Sequence, residues 1–135
     1  MRMAKKINSI VVLSFFFGTI SSNVSALEAF GNADTTEIPS LNVEGVSADL
    51  LDVFKSNNKD KPISCGLFRV GKGKGLDYEY KFDEGKVLLE GNMTIVDSNG
   101  KKVELKPGDM VLFSDGDKVT FSSSSSGTAF YCAQR

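Results

Sequence analysis

Leu76-Asp77-Tyr78-Glu79-Tyr80-Lys81-Phe82 alternates apolar and charged residues without a break. Successive side chains of a strand point to opposite faces, so Leu76, Tyr78, Tyr80 and Phe82 share one face and Asp77, Glu79 and Lys81 the other. The apolar set belongs in an interior and the charged set in water. Outward from this stretch the pattern repeats. Ile63 to Val70 is an apolar run, and Lys86 to Leu89, Asn92 to Asp97, Lys102 to Leu105, Met110 to Phe113, Lys118 to Ser122 and Thr128 to Gln134 read as further short strands. Ser98-Asn99-Gly100-Lys101 predicts a hairpin turn of the Asn-Gly type, with φ above zero at both central positions. Lys106-Pro107-Gly108-Asp109 predicts another turn. Short strands at this spacing predict an all-β domain, a single antiparallel sandwich or barrel.

The 135-residue chain holds no histidine, 16 basic and 17 acidic residues. Its start has the three regions of a secretory signal peptide: Arg2, Lys5 and Lys6, then the apolar Ile10 to Ile20, then Val24-Ser25-Ala26 before a cleavage site. The apolar run is too short to span a bilayer, which takes roughly 20 residues. Residues 1–26 are therefore read as a signal peptide and the protein as periplasmic or secreted. The mature part, from Leu27, keeps 13 basic and 17 acidic residues, a net charge of −4. A mildly acidic chain without a basic run lacks the footprint of a nucleic-acid binder and does not suit an anionic membrane surface.

Residues 27–60 form an N-terminal segment. Leu27 to about Thr36 reads as an arm, and Ser47 to Lys55 predicts a short helix capped by Ser47, with Leu50, Leu51 and Phe54 on one face. Asn57 to Pro62 is a turn-rich break before the β domain at 61–135. Cys65 and Cys132 both lie in that domain. In an oxidising compartment an even pair favours a disulfide, although two buried thiols would also pack as small hydrophobes. The run Ser122 to Ser126 reads as a solvated loop. Gly66 to Gly73 spells most of a phosphate-binding loop but lacks its Ser or Thr, and Asn92-Met93-Thr94 is a glycosylation triplet only in a eukaryotic secretory system.

Two segments resemble the paired signature motifs of the cupin superfamily, a small antiparallel β-barrel (jelly-roll) fold. Tyr78 to Gly91 is similar to the first motif, with Glu84 and Gly91 at its separation; Gly108 to Gly116 is similar to the second. In that family two His-x-His imidazoles, a Glu and a third His hold a metal. One register would put Asp77 and Glu79 at the first two imidazole positions and suggest a hard-metal site. Alternation favours the other register, in which Tyr78 and Tyr80 replace those histidines and Val119 replaces the third; Ser114 stands where the family has Pro. One carboxylate with two phenols is a poor set for zinc, iron or nickel, so no metal and no cofactor are expected. Val87-Leu88-Leu89-Glu90-Gly91, Lys106-Pro107-Gly108-Asp109 and Val119-Thr120-Phe121 resemble the branch of EutQ-like (ethanolamine-utilisation) and ureidoglycine-aminohydrolase-like small cupins; the exported start departs from that branch.

The resemblance implies a homodimer and a cavity lined by Tyr78, Tyr80, Glu84 and Val119. Two phenols and a carboxylate suit a small metabolite or sugar-like ligand. The same groups suit a metal-independent isomerase, lyase or hydrolase, with Glu84 as acid/base and Tyr78 or Tyr80 as proton donor. A filled barrel would instead serve as a scaffold for protein–protein interaction through Leu27 to Phe54.

Overall fold

A computed structural model describes residues 27–135; the signal peptide expected at 1–26 lies outside them. Nine strands follow in order: β1 (Ala48–Lys55), β2 (Ser64–Gly71), β3 (Leu76–Glu79), β4 (Glu84–Gly91), β5 (Met93–Asp97), β6 (Lys102–Leu105), β7 (Met110–Phe113), β8 (Lys118–Ser122) and β9 (Ser126–Ala133). They make a five-stranded sheet ordered β1-β2-β9-β4-β7 and a four-stranded sheet ordered β3-β8-β5-β6. All strand pairings within the two sheets are antiparallel. The inner faces pack on each other, each strand contributing alternate residues: Phe68 and Val70 from β2, Leu76 from β3, Glu84, Lys86 and Leu88 from β4, Ile95 from β5, Phe121 from β8, and Ala129, Tyr131 and Ala133 from β9. This two-sheet antiparallel stack is the sandwich or barrel that the strand pattern predicted, and the jelly roll that the cupin resemblance implied.

The helix expected at Ser47 to Lys55 is strand β1. Ala48 and Leu50 face inward opposite Val70 and Phe68, while Leu51 faces outward opposite Leu67. Apolar residues on both faces mimic a helical stripe, and the sheet edge offered by β2 overrides the weak local preference. A bulge between Asp52 and Phe54 shifts the register there. The preceding chain runs back along the same strand, with the Leu50 amide donating to Pro39 O and the Leu41 amide to Ala48 O, and Ile38 is buried.

Two loops differ in detail from what their sequences predict. In the Asn-Gly hairpin only Gly100 has positive φ, at 80°. The Gly100 amide donates to Asp97 O, and the Asp97 carboxylate accepts from the amides of Asn99 and Lys101. That is a three-residue loop closed by a left-handed glycine, stabilised by Asp97, rather than a two-residue turn. The serine run has a specific partner. Asn92 Oδ1 accepts from the Ser123 and Ser124 hydroxyls and the Ser124 amide, and its Nδ2 donates to Ser125 Oγ. The glycosylation triplet's asparagine is thus committed to fastening the β8–β9 loop. Beside it, Gly91 has φ 76°, and a Cβ there would meet Ser126 O at 1.9 Å, so the last residue of the first motif must be glycine.

Cys65 and Cys132 sit directly opposite on β2 and β9, with Cα atoms 4.1 Å apart, and form a disulfide. They lie on the outer face of the large sheet. The neighbouring row on that face reads Leu51, Leu67, Phe130, Val87, Met110 across all five strands, and the cysteine row ends at Leu112. Met110 is 80% exposed and Leu112 72%. The outer face of the small sheet is polar, carrying Asp77, Thr120 and Lys102.

Candidate functional site

Three polar side chains meet between the sheets. Glu84 and Lys86 project from β4 at alternate positions, so both point inward, and Tyr80 arrives from the loop between β3 and β4. The Tyr80 hydroxyl donates to Glu84 Oε1 at 2.8 Å, and Lys86 Nζ donates to the same oxygen at 2.5 Å. The two charged side chains are 7% and 4% exposed. Around the ammonium stand the rings of Phe68 and Tyr131, each centred 4.7 Å from Nζ, and of Phe121 at 5.7 Å. Buried charge is tolerated only where it is paired and hydrogen-bonded, and the aromatic faces add cation–π attraction.

These surroundings shift the titrations. Burial pushes the Lys86 amine below its ordinary value, against the opposing pull of Glu84. Burial, then the Glu84 charge and hydrogen bond, hold the Tyr80 phenol far above its ordinary value, so it stays a proton donor at any physiological pH. Nearby, Tyr131 donates to Asp52, whose carboxylate is gripped by Arg135 at 2.7 and 3.3 Å. Burial tends to raise the Asp52 carboxyl, but these bonds outweigh it and the net shift is downward. Tyr131 is raised, by burial first and then by Asp52.

A cavity of about 90 Å³ adjoins the cluster, walled by Leu50, Phe68, Leu76 and Phe121, with Tyr80, Glu84 and Lys86 on it and Tyr78, Leu41, Phe82 and Arg135 completing the lining. Of the residues singled out in the sequence, Tyr80 and Glu84 are brought together inside. Tyr78 is 40% exposed, with its ring edge-on to Tyr80 at 4.8 Å, and stands at the rim. Val119 is buried in the core but lies outside the cavity lining. Asp77 and Glu79 point outward, as alternation required: Asp77 accepts from Thr120 Oγ1 at 2.6 Å, and Glu79 pairs with Lys81. Lys86, Arg135 and Asp52 were not anticipated. Lys86 was legible, since Glu84, Lys86 and Leu88 share a strand face; Arg135 and Asp52 meet only through tertiary folding.

The donors do not fit the metal that cupins commonly hold. The Tyr80 phenol keeps its proton, Val119 offers no lone pair, and Lys86 Nζ already occupies the near side of Glu84, supplying the positive charge a metal would bring. Among the described residues no three His, Cys, Asp or Glu side chains cluster to hold an ion.

Comparison with solved structures places the architecture. The EutQ protein of Clostridium difficile aligns with a TM-score of 0.70 at 18% identity, covering 83% of this chain and 82% of that one. A putative ethanolamine utilization protein Q from Salmonella typhimurium aligns at 0.56 and 20% identity, over 64% and 68%. The polyketide cyclase RemF of Streptomyces resistomycificus aligns at 0.65 and 14% identity, over 79% of each chain. At these identities the likeness shows the fold. No curated protein sequence matches. The family model of the EutQ-like cupin domain, however, matches residues 57–129. That span is more than half of the chain, from the approach to β2 into β9, and it includes Tyr80, Glu84 and Lys86: the protein is a member of the EutQ-like cupin family.

Proposed function

We propose that the protein binds a small, neutral, polar molecule in the cavity beneath Tyr78. The observation that carries this is the convergence of a phenol, a carboxylate and an amine on one edge of an otherwise aromatic and aliphatic space, the usual make-up of a ligand site. The charges are already balanced, Lys86 by Glu84 and Arg135 by Asp52, so no unpaired charge draws an ion. The volume is well below the roughly 300–1,000 Å³ of drug-sized pockets, which favours a compact metabolite, or one end of a sugar-like ligand, over a whole sugar ring. Neutral fragments of a few heavy atoms are expected to raise the melting temperature. If no such fragment does so in the folded protein, the lumen is a filled core and the reading fails. Catalysis is the second reading, favoured by Glu84 Oε1 lying within hydrogen-bond reach of both the Tyr80 hydroxyl and the Lys86 amine, the proximity that proton transfer needs. The double variant Glu84→Gln, Lys86→Met, which leaves no buried charge orphaned, would then abolish turnover, whereas in a simple binder it changes affinity alone.

Two further proposals concern the setting. The apolar outer rows of the large sheet support self-association through that face, in an isologous pair of the kind most homodimers use. The double substitution Met110→Lys, Leu112→Glu is expected to leave a monomer by light scattering, and to alter monomer stability by no more than about 0.5 kcal/mol because both positions are exposed. A wild type that is already monomeric refutes it. Export is supported by the disulfide, which belongs to oxidising compartments. A mature N-terminus at Leu27, read by intact mass, is the expected result; a retained Met1 contradicts it.

A further inference from the structure

We propose that the Lys86 amine captures a small aldehyde or ketone in the cavity as an imine. The proposal rests on the ligand reading above and names the ligand's chemical class.

Position comes first. Among the described residues Lys86 is the sole buried lysine, the others being exposed, and it is part of the cavity wall. An amine kept from water can serve as a nucleophile, whereas a hydrated ammonium cannot, and desolvated lysines are the usual source of imine chemistry. Burial lowers the proton affinity of this amine. Its hydrogen-bond partner is Glu84, a base in place to take its proton; the aromatic walls offer none.

The surroundings suit the rest of the reaction. Tyr80 donates to the same carboxylate oxygen that holds Lys86, so a protonated phenol stands near the point where a carbonyl oxygen would gain charge. In the step itself, the ammonium passes a proton to Glu84 and the freed lone pair attacks the carbonyl carbon. The C–N bond forms as the carbonyl π pair moves onto oxygen, which gains the nitrogen's second proton by way of Tyr80 and Glu84. The proton held by Glu84 then goes to the hydroxyl, the C–O bond breaks and water leaves. The net change is ammonium plus carbonyl giving iminium plus water, with no oxidant or reductant. The iminium keeps one positive charge opposite Glu84, so the buried ion pair survives and the cost of an uncompensated carboxylate is avoided. A neutral carbonyl compound also meets the charge balance and the volume of about 90 Å³.

The test uses the wild-type protein, propanal as probe and cyanoborohydride at neutral pH to trap the imine, with labelled lysines mapped by peptide mass spectrometry. Lys86 is expected to acquire one propyl group about tenfold faster than the exposed lysines, as a desolvated amine should, and to lose this preference in urea. Labelling spread over the exposed lysines with Lys86 untouched overturns the proposal and leaves Lys86 as the counter-ion of Glu84. Propan-1-ol, which has no carbonyl, separates the two readings. If it raises the melting temperature while Lys86 stays unlabelled, non-covalent binding stands and imine capture falls; if it does not and Lys86 stays unlabelled, both fall.

Discussion

Replacing Lys86 alone with Met is expected to lower the unfolding free energy by about 3–5 kcal/mol, the usual cost of orphaning a buried charge. Methionine matches the lysine stem in volume, so the loss is not one of packing. It comes from Glu84, left with the Tyr80 hydroxyl and no cation in contact. The double variant Glu84→Gln, Lys86→Met is expected to recover most of that loss and to lie within about 1 kcal/mol of wild type, because removing both charges removes their desolvation as well. Gln is chosen because its carbonyl still accepts from Tyr80. The coupling from the double-mutant cycle is then at least about 2 kcal/mol, the range of contacting charged pairs. A single variant as stable as the double would show that the pair does not hold charge. pH adds an independent check. The folded Lys86 value lies below the unfolded 10.5, so between the two the unfolded chain binds more protons and stability rises with pH. The raised phenols of Tyr80 and Tyr131 act the opposite way near pH 10, where unfolded tyrosines ionise and folded ones do not, so the check is the difference: in urea unfolding, the stability of wild type relative to the double variant should climb as pH rises above 7.

This cluster marks how far the sequence could be read. Alternation along Leu76–Phe82 set the facing of Tyr80 inward and of Asp77 and Glu79 outward, because a sheet with one buried face punishes a one-residue slip. The same rule applied to Glu84, Gly85, Lys86 and Leu88 puts a lysine inside. That inference was missed because lysine is so rarely buried that composition argues against it. What alternation could not supply is the partner across the fold. Arg135 grips Asp52 from 83 residues away, and only the β1-β2-β9 order brings them together. Strand β1 failed for a related reason. Its two-faced apolar pattern, Leu50 inward and Leu51 outward, depends on both faces finding cover, which a local window does not contain. The Asn-Gly turn was placed correctly but its type was not, since Asp97 sets the geometry from one residue outside it.

The cavity was legible only as a possibility. Tyr78 and Tyr80 lie two residues apart on one face, yet Tyr80 is 1% exposed and Tyr78 40%. The difference arises because β3 ends at Glu79 and the chain turns inward at Tyr80, whose amide donates to Asp117 O and whose ring stacks on Phe113 at 4.5 Å. Sequence period gives the face of a residue and not its depth. Val119 shows the same limit: it is on the inner face, as its motif position implied, but away from the cavity wall.

Removing the disulfide, by Cys65→Ala with Cys132→Ala, is expected to cost about 4 kcal/mol of unfolding free energy in the chain-entropy picture. The bridge spans a sequence separation of 67, so it closes nearly the whole β domain in the unfolded chain. The folded side of the balance changes little, because β2 and β9 are already paired residue for residue from Ser64–Ala133 to Gly71–Ser126. The effect is therefore expected in the denatured state, and two signatures separate it from lost packing. The denaturant slope m should increase, since an uncrosslinked unfolded chain exposes more surface. Folding should slow more than unfolding quickens, because joining β2 to β9 is a long-range closure that the bridge makes in advance. Guanidinium unfolding of the double variant, beside wild type with and without reductant, measures all three. A loss below about 1 kcal/mol with unchanged m would mean that the unfolded chain keeps β2 and β9 close by itself, leaving the bridge no loop entropy to remove.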